Sequence, residues 1–397
     1  MIYLDNSATS RVDPEVIDAM EPFLREEYGN PSSKYYSKAV LARNAVEDAR
    51  EKVADLLGVS SGEVIFTAGA TESTNFIIKG FMDYRRYYGD GKNHIITSNV
   101  EHKATLNVCK YLNGDIYSND DPTVTLFGDK TKVDRGYEAS FVDALSTGEI
   151  TKESIEAAIR DNTAMVSVIY VNNEVGTISD IGKIADLCKE HDIALHVDLT
   201  QAVGKVSISL SQMGIGFASC SAHKIHGPKG VGAAVVKADV YGIQPITAFM
   251  HGGEQEQGFR AGTLAVHNIV GFGKAAEIAL RDFEKNTEYI RAIDEYAVNK
   301  LIHIKGIRLT NPTSSRIPGI ISILVEKKNF NNERFIKTIA EEIALSTGSA
   351  CSAGEPSHVL AAMGLGDMTS SVLRISLNKY TTKSDIDYMI TILTQNI

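Results

Sequence analysis

The sequence predicts an α/β fold: a large domain with a mostly parallel sheet covered by helices, plus a smaller α+β domain. Two patterns carry this. From about residue 64 to 236, short apolar runs rich in β-branched residues alternate with helical patterns, and strands alternating with helices close into a parallel sheet buried on both faces. After Thr263 the pattern changes to long helical stretches separated by isolated strand-like runs. With 397 residues the chain has material for two cores. The division expected is a large domain over 15–263 and a small domain made of 1–14 and 264–397.

In chain order, the strand Val64–Thr67 is followed by a helix over Glu72–Tyr88, then by His94–Thr97 and a helix over Lys103–Leu112. Residues 113–147 are rich in Asp, Gly, Ser and Thr with weak periodicity, which reads as a surface insertion. Met165–Val171 reads as a buried strand, Ile181–His191 as a helix, and Ile193–Val197, Phe217–Ser221 and Val231–Val236 as further strands. Beyond them come one long helix over Val266–Ile302, a strand Ile320–Val325, a helix over Glu333–Ile343, a strand Leu373–Leu377 and a last helix Lys383–Thr394.

Composition narrows the function classes. Hydrophobic residues make up 43% and charged residues 23%, the balance of an ordinary globular protein. A formal net charge of −10 argues against direct nucleic-acid binding and against coating an anionic membrane. No apolar run reaches the length of a membrane span, and Met1–Asp5 lacks a signal-peptide pattern, so a cytoplasmic protein is expected. The cysteines are Cys109, Cys188, Cys220 and Cys351, with no C-x-x-C pair, so no metal site is expected. In that compartment they are read as thiols, the first three buried and structural.

Five segments point to chemistry. Thr67–Ser73 follows a strand and opens a helix, so its small residues and free N–H groups suit a phosphate, although any βα turn favours Gly and Thr. Asp198 sits at the carboxyl end of a strand, where open α/β sheets bind ligands; a protonated ring nitrogen would be a fitting partner, a helix cap the plainer role. Lys224 follows an apolar strand among small residues before a Gly-Pro turn, a placement that suits a nucleophilic amine. His102 starts a helix after a strand and can stack on a ring or move protons. Cys351 lies among Ser, Gly and Ala, a loop composition in which a thiol can reach a substrate and then a partner.

In this order, and with Tyr3–Thr9 and Gly29–Ser33 ahead of them, the motifs GATES, EHKA, VNNEVG, HVDLTQ, SAHKIHGPKG, HGGEQEQGFRAGT and STGSACS resemble the NifS/IscS-like cysteine desulfurases. These belong to the pyridoxal-phosphate-dependent fold type I, aminotransferase class V superfamily. The resemblance covers nearly the whole chain apart from about residues 113–147. It implies that L-cysteine is converted to L-alanine and that its sulfur passes to Cys351 as a persulfide. It further implies pyridoxal 5′-phosphate held covalently by Lys224, which also moves protons, with Asp198 on the ring nitrogen and His102 stacked on the ring. Gln201 is implied to bond the ring hydroxyl oxygen, and Ala70, Thr71, Ser221 and His223 to hold the phosphate. Thr263 would reach the phosphate in a neighbouring subunit, which implies a homodimer. Asn173 and Arg374 would bind the substrate carboxylate, for which a bidentate arginine is suited.

The stretch from Cys351 to Pro356 is shorter than in housekeeping members, and the chain stops just after the last helical pattern, without the tail many relatives use to dock a scaffold. The destinations served by enzymes of this kind are iron–sulfur clusters, thiolated tRNA and phosphorothioate DNA, and delivery through a protein acceptor is the expected route. The rival reading is another class V enzyme, a selenocysteine lyase or an aminotransferase, neither of which needs a loop cysteine in this setting.

Overall fold

The computed structural model describes residues 1–115, 133–312, 315–348 and 356–397. Its centre is a seven-stranded sheet in the order Val64–Thr67, Gly232–Val236, Phe217–Ser221, Ala194–Asp198, Thr163–Ile169, His94–Ser98, Glu138–Val142. All strands run one way except Gly232–Val236, which is antiparallel to both neighbours. This is the mixed, mostly parallel α/β sheet that the alternating pattern predicts.

Side-chain alternation divides the sheet between two cores. Val64 and Phe66 enter one cluster with Val166, Val168 and Val197, while Ile65 enters the other with Ile95 and Met165. The helices Ser37–Leu57, Ile181–Glu190 and Val266–Arg281 contribute to the first, and Ala70–Tyr87 and Lys103–Leu112 to the second. Thr163–Ile169 is therefore buried at every position and reads as a mostly apolar run, with Thr163 and Ser167 its polar members, rather than as an alternation.

A third cluster is built on an antiparallel sheet with Ile320–Val325 between Ile307–Leu309 and Val372–Ser376. Ile321, Ile323 and Val325 face this cluster with Leu4, Ile343 and Leu393, while Ile320 and Leu324 face the large core. Ile2–Tyr3 pairs in parallel with Ile343–Ala344, so the start of the chain is stitched to its last third.

Helix ends follow their local chemistry. Pro14 opens the helix Pro14–Arg25, and the Asp13 carboxylate accepts from the Glu15 amide. Gly58 ends the helix Ser37–Leu57 at φ +66°, and a Cβ there would lie 2.8 Å from the Cα of Ser209.

Three expectations are corrected. The helix predicted over Glu333–Ile343 is the shorter Asn332–Thr338, and Ile343 stands in a strand paired with Ile2–Tyr3. The helix predicted over Val266–Ile302 is two helices, Val266–Arg281 and Phe283–Leu301, because Asp282 at φ −102°, ψ 14° leaves the helical path. The 113–147 insertion contributes the edge strand Glu138–Val142, parallel to His94–Ser98. Its half-exposed side chains reflect an edge position with a neighbour on one side, so it carries no apolar run. Residues 116–132 of that stretch, and Cys351 with its neighbours in 349–355, lie outside the described residues.

Candidate active site

The carboxyl ends of the parallel strands open into a cavity of about 780 Å3. Ala70, Thr71, His102, Asn173, Asp198, Gln201, Ser221, His223, Lys224 and Arg374 all line it. Thr263 does not line it and is exposed. The positions that sequence reasoning passed over are the carbonyl-bearing Ser7 and Ala8, and Lys103, Glu174, Lys229, Phe249 and His358. Ser7, Ala8, Lys103, Glu174 and Lys229 lie inside segments quoted above, which was the available signal; Phe249 and His358 could not be placed without the fold.

One rim is the turn after Val64–Thr67. Gly69 precedes the helix Ala70–Tyr87, and the Ala70 amide donates to Ser221 Oγ at 2.7 Å. A Cβ on Gly232 would lie 2.7 Å from the Cα of Gly69, so the turn packs directly on a neighbouring strand's backbone. The open amides at this helix start favour an anion. Glu72, also on the rim, is engaged by Arg260 at 2.8 Å and accepts from the Ala68 amide at 2.8 Å.

Asp198 ends the central strand, is buried, and accepts from the Thr200 amide through Oδ1 at 2.9 Å. His102 caps the helix Lys103–Leu112, its Nδ1 accepting from the Ala104 amide at 3.1 Å. That contact leaves the ring proton on Nε2 in the neutral form. Burial lowers the His102 pKa, the charges of Lys224, His358 and Lys103 add to this, and Asp198 opposes it. His223 is pushed down to about 4 by burial and by Lys224, Lys229 and Lys205, so it too is neutral at pH 7.

Lys224 follows the strand Phe217–Ser221 on a short 3-10 turn. Its Nζ donates to the carbonyls of Ser7 at 2.5 Å and Ala8 at 2.8 Å. Gln201, almost fully buried, donates to the same Ser7 carbonyl at 2.9 Å. Arg374 is 2% exposed and donates to Asp5 Oδ1 at 2.7 Å, the Asn173 carbonyl at 2.9 Å and the Gly348 carbonyl at 3.0 Å.

Several buried polar atoms at the cavity have no hydrogen-bond partner among the described residues: Arg374 Nε, Asn173 Oδ1, Thr200 Oγ1 and Ser7 Oγ. Buried polar groups are normally satisfied, so these mark places for a polar ligand. The donor set fits pyridoxal 5′-phosphate and an amino-acid carboxylate: helix-start amides for a phosphate, a buried carboxylate for a ring nitrogen, an amine, and a buried guanidinium. Cys109, Cys188 and Cys220 are buried free thiols away from this lining, and burial raises the pKa of each.

The aminotransferase class-V family matches residues 2–389. Cysteine desulfurase IscS of Aeromonas salmonicida is 38% identical over 404 residues, covering 100% of this chain and 92% of the relative. Among solved structures, a NifS-like protein superposes with a TM-score of 0.85 at 33% identity, covering 99% of this chain and 98% of that one. SspA in complex with cysteine superposes with a TM-score of 0.79 at 32% identity, covering 96% of this chain and 100% of that one.

Proposed function

Because this chain belongs to the aminotransferase class-V family and, within it, to the cysteine desulfurases, we propose that Lys224 holds its pyridoxal 5′-phosphate and that Cys351 takes the sulfur of L-cysteine. The family assignment carries the reaction: a pyridoxal-phosphate enzyme that moves sulfur from cysteine. The observation that carries the residue roles is the convergence of Lys224, Asp198 and His102 on one cavity that Arg374 and Asn173 also line.

When bound, the cofactor supplies an electron sink for the bond changes at the substrate's carbon atoms. The residues do the rest. Ala70, Thr71, Ser221 and His223 hold the phosphate, Asp198 keeps a proton on the ring nitrogen, and Gln201 faces the ring hydroxyl. Arg374 and Asn173 take the substrate carboxylate, which fixes the sulfur's direction. Lys224, with two carbonyls ready to accept its protons in hydrogen bonds, moves protons to and from the substrate carbon. Neutral His102, carrying its proton on Nε2, would lie against the ring and have that proton to give. The Cys351 thiolate forms a new S–S bond to the substrate sulfur as the carbon–sulfur bond breaks. The electron pair stays with carbon, which is protonated to alanine, so the sum is one cysteine and one thiol giving alanine and one persulfide.

The enzyme works as a homodimer in this reading. Thr263 is exposed and outside its own chain's cavity, and Leu24, Tyr28, Tyr35, Tyr36, Val40 and Leu41 leave an exposed apolar surface near the N-terminal helices. A protein acceptor in the cytoplasm, where thiols stay reduced, collects the persulfide sulfur.

The deciding experiment measures alanine and sulfide released from L-cysteine with a reductant, for wild type and Cys351→Ala. Both proteins are checked for the cofactor's visible absorbance. Turnover by wild type and its loss in a variant that keeps the absorbance supports the reading. Normal turnover by the variant removes Cys351 from the reaction.

A further inference from the structure

Gln201 is held at both ends of its carboxamide. Its Nε2 donates to the Ser7 carbonyl at 2.9 Å, and its Oε1 accepts from Lys205 Nζ at 2.9 Å. A carbonyl only accepts, so the Ser7 contact fixes which end of the amide is nitrogen, and the donation from Lys205 to the other end agrees with it. The two anchors differ in permanence. The Ser7 carbonyl is shared with the Lys224 amine, so its hold on Gln201 changes whenever that amine moves. The Lys205 contact shares no atom with Lys224.

Among the described residues no carboxylate pairs with Lys205 to explain its position. Gln201 is its hydrogen-bond partner among the described residues. It lines a second, smaller cavity of about 60 Å3 together with Ser7, Lys224, His226, Asn378 and Lys379, with no Asp or Glu in the lining. Lys379 in that lining is already paired with Asp13 at 2.5 Å. Burial, with the charges of Lys224 and Arg374, pushes Lys205 down to about 7. A lysine kept at such an electrostatic disadvantage is there for its N–H donor rather than for an ion pair.

We propose that Lys205 is a positioning residue that locks the Gln201 carboxamide with its N–H side toward the cofactor cavity, so that Gln201 meets the bound cofactor as a donor and never as an acceptor. The proposal rests on the assignment of the large cavity to pyridoxal 5′-phosphate and adds a residue that touches neither cofactor nor substrate. Lys205 would act wholly through Gln201, which makes the effects of changing the two residues non-additive.

The test uses the full-length protein loaded with pyridoxal 5′-phosphate and reads the absorbance maximum, its pH midpoint and the retention of the cofactor on dilution. The variants are Lys205→Met, Lys205→Arg, Gln201→Leu and the Lys205→Met/Gln201→Leu double. Lys205→Met is expected to shift the band and weaken retention about three- to tenfold, the size of one lost hydrogen bond. Lys205→Arg, which still donates, is expected to restore most of both. In the Gln201→Leu background Lys205→Met is expected to change neither. A Lys205→Met protein with wild-type spectrum and retention overturns the proposal, as does an equal decrement with and without Gln201. Lys205→Leu, equally lacking a donor, replaces Lys205→Met if that variant does not fold. A wild-type protein that shows no cofactor band fails differently: it removes the cavity assignment itself.

Discussion

Ser357 Oγ donates to Glu174 Oε2 at 2.5 Å across 183 positions of sequence. The same carboxylate oxygen lies 3.2 Å from where a Cβ on Gly348 would stand. Gly348 and Ser357 stand on either side of the segment that carries Cys351, so both approaches to it meet Glu174. The hydroxyl also caps the helix His358–Ala362 by accepting from the Leu360 amide at 3.1 Å. Replacing Glu174 with Ala leaves this buried hydroxyl without its acceptor and is expected to cost about 1–3 kcal/mol. Glu174→Gln, which keeps an acceptor oxygen, is expected to cost less. Urea unfolding of the two variants measures the difference, and equal midpoints would sink the argument.

Arg374→Lys is expected to raise KM for L-cysteine roughly 10- to 100-fold, the range for a charge-assisted hydrogen-bonding group, with a smaller change in kcat. The guanidinium spans Asp5, the Asn173 carbonyl and the Gly348 carbonyl with Nε still open, and an ammonium cannot cover that fan. Steady-state kinetics over a wide cysteine range separates the two constants. A fall confined to kcat would contradict the carboxylate role.

Glu256 is 6% exposed and carries Arg50 on both carboxylate oxygens at 2.7 Å, with the Phe66 amide donating at 2.6 Å. It does so from a left-handed backbone, φ +48°, which the pair must hold in place. Glu256→Ala removes the bidentate partner of the buried Arg50, leaving it the more exposed Glu47 at 3.2 Å and the Val64 carbonyl at 2.8 Å, and is expected to cost about 3 kcal/mol. Thermal and urea unfolding test it; a change under about 1 kcal/mol would mean that the pair contributes only as much as an exposed one.

Glu101 sets a pH dependence. Burial pushes its carboxyl from 4.5 up to about 8, against hydrogen bonds from Ser98 and the Ile169 amide. The folded chain therefore binds a proton that the unfolded chain has already released between about pH 4.5 and 8. Where the folded state holds more protons, stability falls as pH rises. Glu101→Gln removes this titration and is expected to gain on wild type as pH rises through that window. Denaturation midpoints at pH 5, 6.5 and 8 decide it, and parallel curves for the two proteins would refute it.

Much of the site was legible because its chemistry lies where strands end. Asp198, Lys224 and His102 each follow a run of buried residues, and the periodicity that marks a strand also marks its exit. Glu138–Val142 was not legible, since an edge strand needs no apolar face on both sides. Asp282 was hidden for another reason: one residue off the helical path leaves the apolar spacing of both flanking helices intact. Arg374 could be named from the family resemblance, but its engagement of Asp5 and Gly348 depends on a pairing between distant strands that no local pattern encodes. Lys205 was passed over because a lysine beside a turn looks solvated, and only the fold shows it turned toward Gln201.

The first ten residues have a consequence for the order of assembly. The Asn6 side chain donates to the Ser376 carbonyl across 370 positions, and Ser10 donates to the His223 carbonyl, while the Ser7 and Ala8 carbonyls receive Lys224. A growing chain that has completed the seven-stranded sheet still lacks Ser376, so its earliest-made segment has no anchor on that side. The support that Ser376 gives the cradle is therefore added only once the last strand has been made. A ribosome-bound intermediate truncated before Val372 would have the sheet and the contact from Ser10 to His223, but the first residues would lack their support from Ser376.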